Sequence, residues 1–197
     1  MTDDVVTIVS GLPRSGTSLM MQMLQAGGMT LLSDGRRGPD EHNPCGYFEH
    51  ESVKHSHRDL SWLSQAGGKA VKVIHLLLGQ LPANRNYQVI FMLRDLDEVV
   101  ASQRAMLQQQ GLAAARLNHT DLARVFAQQL DQVGHWLREQ PNFRVLYVHH
   151  QEVIDHSAVA AEQINQFLGG NLLAASMAGA VNPSLYRQRK RASGTTA

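Results

Sequence analysis

The sequence predicts an α/β domain with a mostly parallel central sheet and helices on both of its faces. Predicted strands and helices alternate along the chain, and parallel strands need such crossover helices between them. The strands are short, continuously apolar runs, which is typical of strands buried on both faces. With 197 residues, 43% of them hydrophobic, the chain fits one domain, which we assign to residues 1–186. Residues 187–197 are basic and then polar, so we expect a flexible tail there.

The first strand and the first helix are joined by a glycine-containing turn. A β-branched run, Val5–Ser10, stops at Gly11, and Leu19–Ala26 then repeats apolar residues at helical spacing. A Gly-Gly pair follows this helix and closes it. Residues 33–47 collect Gly, Pro, Asp and Asn, so we interpret them as a long functional loop.

The middle of the chain contributes two further strands and two helices. A helix is predicted over Glu51–Ser64, before a Gly-Gly pair, and a second strand over Ala70–His75. Another apolar run, Gln88–Leu93, predicts the third strand and leads into a helix over Leu96–Gln109.

The last third contains the strongest helical pattern. Apolar residues from Leu122 to Leu137 recur every three or four positions, which predicts a core-facing helix that ends before Pro141. Val145–Val148 predicts the fourth strand, and Ser157–Leu168 predicts a helix closed by another Gly-Gly pair.

Composition excludes several classes of protein. Lys and Arg total 18, Asp and Glu total 17, and the net charge of +1 provides no global field for nucleic acid, so we expect no nucleic-acid partner. Cys45 is the only cysteine, which excludes an internal disulfide and favours a reducing compartment, with the cytoplasm as the default. No apolar run approaches the roughly 20 residues of a membrane span, and the first residues lack a secretory pattern, so we expect no membrane association.

The turn after the first strand has the glycine spacing of a phosphate-binding loop. Within Gly11–Ser18, the amides from Arg14 to Ser18 are expected to point at an anion on the positive end of the helix. The Walker A loop has Lys directly after its second glycine, where this chain has Thr17. We therefore expect Arg14 to supply the cationic side chain.

Residues 13–18 resemble the donor loop of the sulfotransferases that use 3′-phosphoadenosine 5′-phosphosulfate (PAPS), which reads Pro-Lys/Arg-Ser-Gly-Thr-Thr/Ser. The resemblance implies a P-loop NTPase-like sulfotransferase fold that takes PAPS as donor, releases 3′-phosphoadenosine 5′-phosphate (PAP) and requires no metal. It also implies that the loop binds the donor through Pro13, Arg14, Ser15, Gly16, Thr17 and Ser18.

A second motif resembles the same family. The third strand ends in Arg94, and Ser102 follows eight residues later on the next helix; in the family, this Arg and Ser hold the 3′-phosphate of PAPS. Residues 145–168 are also similar to the family, with His150-Gln151-Glu152 at the position of its Tyr-Glu-Asp turn. The family ends in a basic segment that clamps the 3′-phosphate, and Arg189 is its expected counterpart.

The group that takes the acceptor's proton has two main candidates. Glu49 ends a stretch that begins at Asn43 and resembles a segment of bacterial family members, and carboxylate bases occur in the carbohydrate and tyrosine branches. His75 ends Lys72-Val-Ile-His75, which resembles the Lys-Thr-His strand of the cytosolic enzymes but has one extra residue. Side chains alternate along a strand, so Lys72 and His75 face opposite sides unless a bulge intervenes. Glu41, or no base, is the remaining alternative.

These residues predict sulfuryl transfer from PAPS to a hydroxyl or amine of a small-molecule or carbohydrate acceptor, with Arg14 as the catalytic cation. One alternative is an ATP- and Mg²⁺-dependent kinase or NTPase, with Ser18 and Asp95 as Mg²⁺ ligands. Another is a PAP-binding module without catalysis. A near match to His-Glu-x-x-His begins at His50, but Lys54 stands where the second histidine is needed, so we expect no metal site.

Overall fold

The computed structural model describes residues 5–40, 43, 46–56, 59–109 and 118–186. The strands are Val5–Gly11 (β1), Leu31–Leu32 (β2), Ala70–Lys72 (β3), Asn86–Leu93 (β4) and Phe143–His149 (β5). The α-helices are Thr17–Ala26 (α1), Glu51–Lys54 (α2), Leu96–Gln109 (α3), His119–Arg138 (α4), His150–Asp155 (α5), Ser157–Phe167 (α6) and Ala174–Gly179 (α7). Short 3₁₀ helices cover Ser61–Gln65, His75–Gln80 and Pro183–Leu185.

The strands of the described ranges form one parallel sheet in the order β2-β3-β1-β4-β5. The central strand, β1, pairs Thr7 with Ala70 on one side and with Gln88 on the other. The chain passes from β3 on one side of β1 to β4 on the other, so the strand order switches at β1. Ligands of open α/β sheets bind at the carboxyl end of such a switch point.

Apolar side chains form a core on each face of the sheet. On β1, Ile8 belongs to the core that includes Leu137 of α4, whereas Val9 belongs to the core that includes Met20 of α1 and Ile164 of α6. Neighbouring residues of one strand thus face opposite cores, as the pleat requires. The predicted α/β fold, with a parallel sheet between two helical layers, is confirmed.

The helix predicted over Glu51–Ser64 is wrong. α2 ends at Lys54, and a 3₁₀ helix begins at Ser61. The carboxylate of Asp59 accepts hydrogen bonds from the amide and the hydroxyl of Ser61. This Asx turn competes with helical hydrogen bonding and redirects the chain.

The strand predicted over Ala70–His75 is too long. β3 ends at Lys72, and His75 opens a 3₁₀ helix. The imidazole of His75 is hydrogen-bonded to the carbonyl oxygen of Gly11 at 3.2 Å and to the side chain of Gln129 at 3.1 Å. These bonds anchor the chain where it leaves the sheet.

The remaining bounds differ from the prediction by a few residues at most. β4 and β5 extend beyond their predicted runs, α3 has its predicted bounds, and α6 ends one residue early. β2, α5 and α7 were not predicted, because elements of two to six residues are too short to show a period. Within the described ranges, no helix combines the length and apolarity needed to cross a membrane.

Candidate active site

A cavity of about 490 Å³ opens at the carboxyl edge of the sheet, where the strand order switches. Its walls come from the turn after β1, the ends of β3 and β4, helix α3, and the chain around residues 43–54 and 182–186. The residues predicted to bind the donor that lie in this wall are Pro13, Arg14, Gly16, Thr17, Ser18 and Arg94. Ser15 and Ser102 are buried behind it, and Arg189 lies outside the described residues.

Left-handed backbone shapes the turn between β1 and α1. The φ angle is 101° at Gly16 and 70° at Arg14. A Cβ at position 16 would lie 2.5 Å from the imidazole of His150, so only glycine fits there. Because α1 begins at the next residue, Thr17, its positive end opens onto the cavity. The turn can therefore bind an anion as the sequence predicts.

Arg14 is linked to both residues of the second motif. Its Nε donates to Oγ of Ser102 at 2.9 Å, and Nη1 of Arg94 donates to the carbonyl oxygen of Arg14 at 3.0 Å. Nε of Arg94 also donates to Glu98 at 2.9 Å. α3 carries both Glu98 and Ser102, so this helix fixes both guanidinium groups. Burial, with a further contribution from Arg94, lowers the pKa of Arg14, and an incoming anion would offset that cost.

Tyr186 covers the Arg94 side of the cavity. Its hydroxyl lies 2.6 Å from the carboxylate oxygens of Glu98 and 2.7 Å from the side-chain oxygen of Gln151. The guanidinium of Arg94 lies 5.0 Å from the centre of the Tyr186 ring, a cation–π contact. The ring of His150 meets the same ring edge-on at 4.8 Å. Tyr186 thus joins the chain after α7 to β4, α3 and α5.

Asn43 links the predicted functional loop to α1, and Tyr47 links residues within that loop. Nδ2 of Asn43 donates to Oγ of Ser18 at 2.8 Å. The hydroxyl of Tyr47 donates to Asp40 at 2.7 Å, and the guanidinium of Arg37 stacks 3.4 Å from the centre of the Tyr47 ring. Burial, together with the hydrogen bond to Asp40, raises the pKa of Tyr47. Much of this wall is therefore held by side chains rather than by regular backbone structure.

Lys72 reaches the same place from the end of β3. Its Nζ donates to Oγ of Ser18 at 3.1 Å and to the carbonyl oxygen of Tyr47 at 3.0 Å. Burial lowers the pKa of Lys72 to about 8, and the cations of Arg37 and Arg14 act in the same direction while Glu49 opposes them. Sequence reasoning did not assign this residue, although a lysine inside an apolar strand is a usable signal.

Glu49 lies in the cavity wall between two cations. Its carboxylate is 3.3 Å from Nη1 of Arg37 and 3.2 Å from Nζ of Lys54. The side chain is 21% exposed, so it is accessible from the cavity. The two ion pairs hold the carboxylate in one position.

His75, the other candidate base, is 3% exposed and does not line the cavity. Both of its ring nitrogens have partners, in Gly11 and Gln129, and burial lowers its pKa. Lys72, Val73 and Ile74, the three residues before it, line the cavity instead. Glu41, the third candidate, lies outside the described residues.

The groups required for the kinase alternative have other partners. Oγ of Ser18 receives hydrogen bonds from Asn43 and Lys72. The carboxylate of Asp95 accepts from the amides of Asp97 and Glu98 and thereby caps α3. The described part of the chain contains no group of three or more His, Cys, Asp or Glu side chains arranged to hold a metal ion.

Buried polar atoms without hydrogen-bond partners are concentrated at this site. Among the described residues they are Oγ of Ser10, Oγ of Ser15, Nδ1 of His50, Oε1 of Gln103 and Nδ1 of His150. Ser15 belongs to the turn, and the last three residues line the cavity. Buried polar atoms are normally paired, so this concentration indicates a wall that a polar ligand completes.

Comparison with known proteins identifies the family. A family model described as the sulfotransferase domain matches residues 3–192. The chain belongs to the sulfotransferase family. The sequence resemblance is thereby confirmed over nearly the whole chain. No curated protein matches it significantly.

Solved structures share the sulfotransferase fold at low sequence identity. Mouse sulfotransferase SULT7A1 complexed with PAP is 16% identical with a TM-score of 0.58, covering 90% of this chain and 63% of that one. Retinol dehydratase in complex with androsterone and inactive cofactor PAP is 16% identical with a TM-score of 0.53, covering 94% and 65%. The sulfotransferase domain from the curacin biosynthetic pathway is 15% identical with a TM-score of 0.50, covering 97% and 80%. The chain thus spans less than two thirds of the first two structures.

Proposed function

We propose that this member of the sulfotransferase family transfers a sulfuryl group from PAPS to a hydroxyl or amine of a small-molecule or carbohydrate acceptor. The observation that carries the proposal is one cavity whose wall contains the turn amides, Arg14, Arg94 and Glu49. Two of the similar solved structures are complexes with PAP. PAPS supplies the sulfuryl group when it is bound.

The charge of the wall supports a polyanionic donor. Among the described lining residues, the cations Arg14, Arg37, Lys54, Lys72 and Arg94 face a single carboxylate, that of Glu49. The unpartnered oxygen of Ser15 and the unpartnered nitrogen of His150 supply further polar atoms. The residues present therefore fit a ligand with several phosphate or sulfate oxygens.

The donor side divides into two subsites. We assign the 3′-phosphate to Arg94, which Glu98 holds, and to Ser102, which lies directly behind the wall and binds Nε of Arg14. We assign the 5′-phosphosulfate to the turn amides with Arg14 and Thr17, at the positive end of α1. Arg14 then stabilises the charge that develops on the leaving phosphate, and loss of one such preorganised donor typically costs ~2.7–4 kcal/mol.

We propose that Glu49 accepts the proton that the acceptor's hydroxyl or amine loses. Its carboxylate is accessible from the cavity and is positioned by Arg37 and Lys54. His75 is less suited, because both its nitrogens bind protein groups and it lies outside the wall. A general base contributes roughly 10²–10⁴-fold to the rate.

A thermal-shift series tests the donor assignment. PAP is added at ~100 times its Kd, measured by titration, where binding to the native state alone adds ~2.7 kcal/mol. AMP, ATP with Mg²⁺ and ATP with EDTA are added at the same concentration as PAP. At ~2–4 °C per kcal/mol for a chain of this length, PAP should raise the midpoint by about 5–11 °C, with or without EDTA. AMP, at the PAP concentration, should raise it much less.

Transfer is tested with ³⁵S-labelled PAPS and a panel of phenols, alcohols, amines and saccharides. Labelled product that depends on Glu49 supports the proposal. A midpoint shift from ATP that requires Mg²⁺ contradicts it in favour of a kinase. Tight PAP binding without transfer to any member of a broad panel favours a binding module.

A further inference from the structure

His150 is a buried, polar residue of the cavity wall that the proposed chemistry does not use. It is 6% exposed and lines the cavity, and its Nδ1 has no hydrogen-bond partner among the described residues. An unpaired buried nitrogen destabilises the ligand-free protein, whereas an apolar group of the same shape would not. The imidazole therefore has a cost that packing alone does not explain.

The ring is held in one orientation. One edge, at Cδ2, faces the donor turn and leaves no space for a Cβ at Gly16. The ring also contacts Tyr186 edge-on at 4.8 Å. His150 begins α5 directly after β5, whose last residue pairs with Leu93, the neighbour of Arg94. The imidazole thus stands between the donor turn and Arg94.

Burial and the neighbouring Arg94 keep His150 neutral. Burial is the main cause, Arg94 adds to it and Glu98 opposes it, and together they lower the pKa of His150 to about 4. A neutral imidazole has one N–H donor and one acceptor nitrogen.

We propose that the imidazole of His150 binds the 3′-phosphate of the donor beside Arg94, an inference that rests on the proposed function. A neutral N–H donor to a phosphate oxygen forms a charge-assisted hydrogen bond without burying a further cation next to Arg94. The orientation enforced by Gly16 and Tyr186 prepares this bond in the free protein. The ligand class is a phosphomonoester on a nucleoside, not the sulfuryl group.

The principal test replaces the imidazole by a ring of similar shape that has no polar atom. His150→Phe keeps the edge contact with Tyr186 and removes both nitrogens. We expect an unfolding midpoint equal to or above that of the wild type, because an unpaired buried nitrogen is removed. We also expect calorimetric PAP affinity to fall at least about tenfold and AMP affinity to stay unchanged, since a hydrogen bond to a charged group is worth more than tenfold.

The controls separate a ligand contact from a structural role. His135→Phe changes an exposed histidine of α4, distant in sequence from the cavity residues, and should leave PAP affinity unchanged. His150→Gln and His150→Asn place an amide near one or the other ring nitrogen, and one of them should recover most of the lost affinity. Failure of both to recover any affinity overturns the hydrogen bond.

A measurement on the wild-type protein completes the test. Nitrogen-15 spectra of the histidine rings, assigned with His150→Phe, should show one His150 nitrogen shifting with PAP and not with AMP. A wild type that does not bind PAP contradicts the proposed function and this inference together. If the wild type binds PAP but the Phe variant binds it equally well, or loses PAP and AMP equally, only the role of His150 at the 3′-phosphate is overturned.

Discussion

The donor side and the loop side of the cavity are built in different ways. On the donor side, Arg94 lies directly after β4 and Arg14 lies in the turn after β1, and one of their links runs from a guanidinium to a backbone carbonyl oxygen. On the loop side, Tyr47 and Glu49 precede the short helix α2 and are held by side chains such as that of Arg37. The sheet determines the first geometry, whereas tertiary contacts determine the second.

This difference matches the two functions that we propose for the cavity, binding of the donor and binding of the acceptor. A polyanion needs fixed cations and amides, which strand ends and a helix N-terminus provide in any sheet of this type. An acceptor varies in shape, and loops accommodate such variation because they change without disturbing the sheet. We therefore expect donor-side substitutions to change PAP affinity, and loop-side substitutions to change turnover.

The largest expected effect comes from the loop side. Glu49→Gln keeps the shape of the side chain and removes the basic carboxylate, so kcat should fall at least ~10²-fold. PAP affinity should change little, because a base acts on the acceptor. The measurement is ³⁵S transfer to the best acceptor of the panel, alongside calorimetry with PAP.

His75→Gln is the matched comparison for Glu49→Gln. It removes a titratable group that lies outside the cavity wall, and we expect a smaller loss of kcat than in Glu49→Gln. A larger loss of kcat in His75→Gln than in Glu49→Gln would make His75, in the chain after β3, the base. Equal, small losses in both variants would leave the loop side without a base.

The next largest effect comes from the donor side. Arg94→Lys and Ser102→Ala should each weaken PAP binding by ~1.5–3 kcal/mol, which is the range for hydrogen bonds to charged groups. The affinity for AMP should change little. Arg94→Lys is preferable to Arg94→Ala, because Ala would remove the cation that forms an ion pair with the buried carboxylate of Glu98. Unchanged PAP affinity in both folded variants would mean that these residues only stabilise helix α3 and do not bind PAP.

Lys72 gives a pH-dependent test at the junction of the two sides. The lowering of its pKa from 10.5 to about 8 means that the charged amine reduces the free energy of unfolding by ~3 kcal/mol at neutral pH. Lys72→Met removes this cost but also loses hydrogen bonds to Ser18 and Tyr47, each worth ~0.5–1.5 kcal/mol. The variant should therefore be more stable than the wild type by about 1 kcal/mol at pH 7, yet bind PAP more weakly.

The difference in stability between Lys72→Met and the wild type should change sign with pH. Between about 8 and 10.5 the unfolded wild type holds more protons at Lys72 than the folded protein, so this residue makes wild-type stability rise with pH across that interval. The methionine variant lacks this contribution, and above about pH 10 it should be the less stable protein. Denaturant unfolding of both proteins at pH 7 and pH 10 checks this. A constant difference would contradict a lowered pKa at Lys72.

The two sides also differ in how far the sequence predicts them. The placement of the turn from Gly11 to Ser18 next to Arg94 and Ser102 could be predicted, because strand ends and glycine spacing are local signals that a sheet brings together. The roles of these residues in donor binding stay predictions. Tyr186 and Lys72 could not be assigned a role, because their partners are far away in sequence and no local pattern specifies them. Helix α2 is shorter than predicted, because the spacing of hydrophobic residues does not reveal the Asx turn at Asp59. Sequence thus predicts residues that strand ends place better than residues whose position depends on side-chain contacts with distant parts of the chain.

The smallest expected effect tests the link between the two sides. Asn43 donates to Ser18 across the gap between the loop and α1, and to the carbonyl oxygen of Gly46 within the loop. Loss of each neutral hydrogen bond costs ~0.5–1.5 kcal/mol, and only the bond to Ser18 links the two sides. Asn43→Ala should therefore raise the KM for the acceptor about 2–10-fold, because the loop side shifts while the donor turn stays on the sheet. PAP affinity should stay within about twofold, and Asn86→Ala, at an exposed position on β4, should change neither quantity. If Asn43→Ala lowers PAP affinity by the same factor as it raises the KM for the acceptor, the two sides form one structural unit and are not independent.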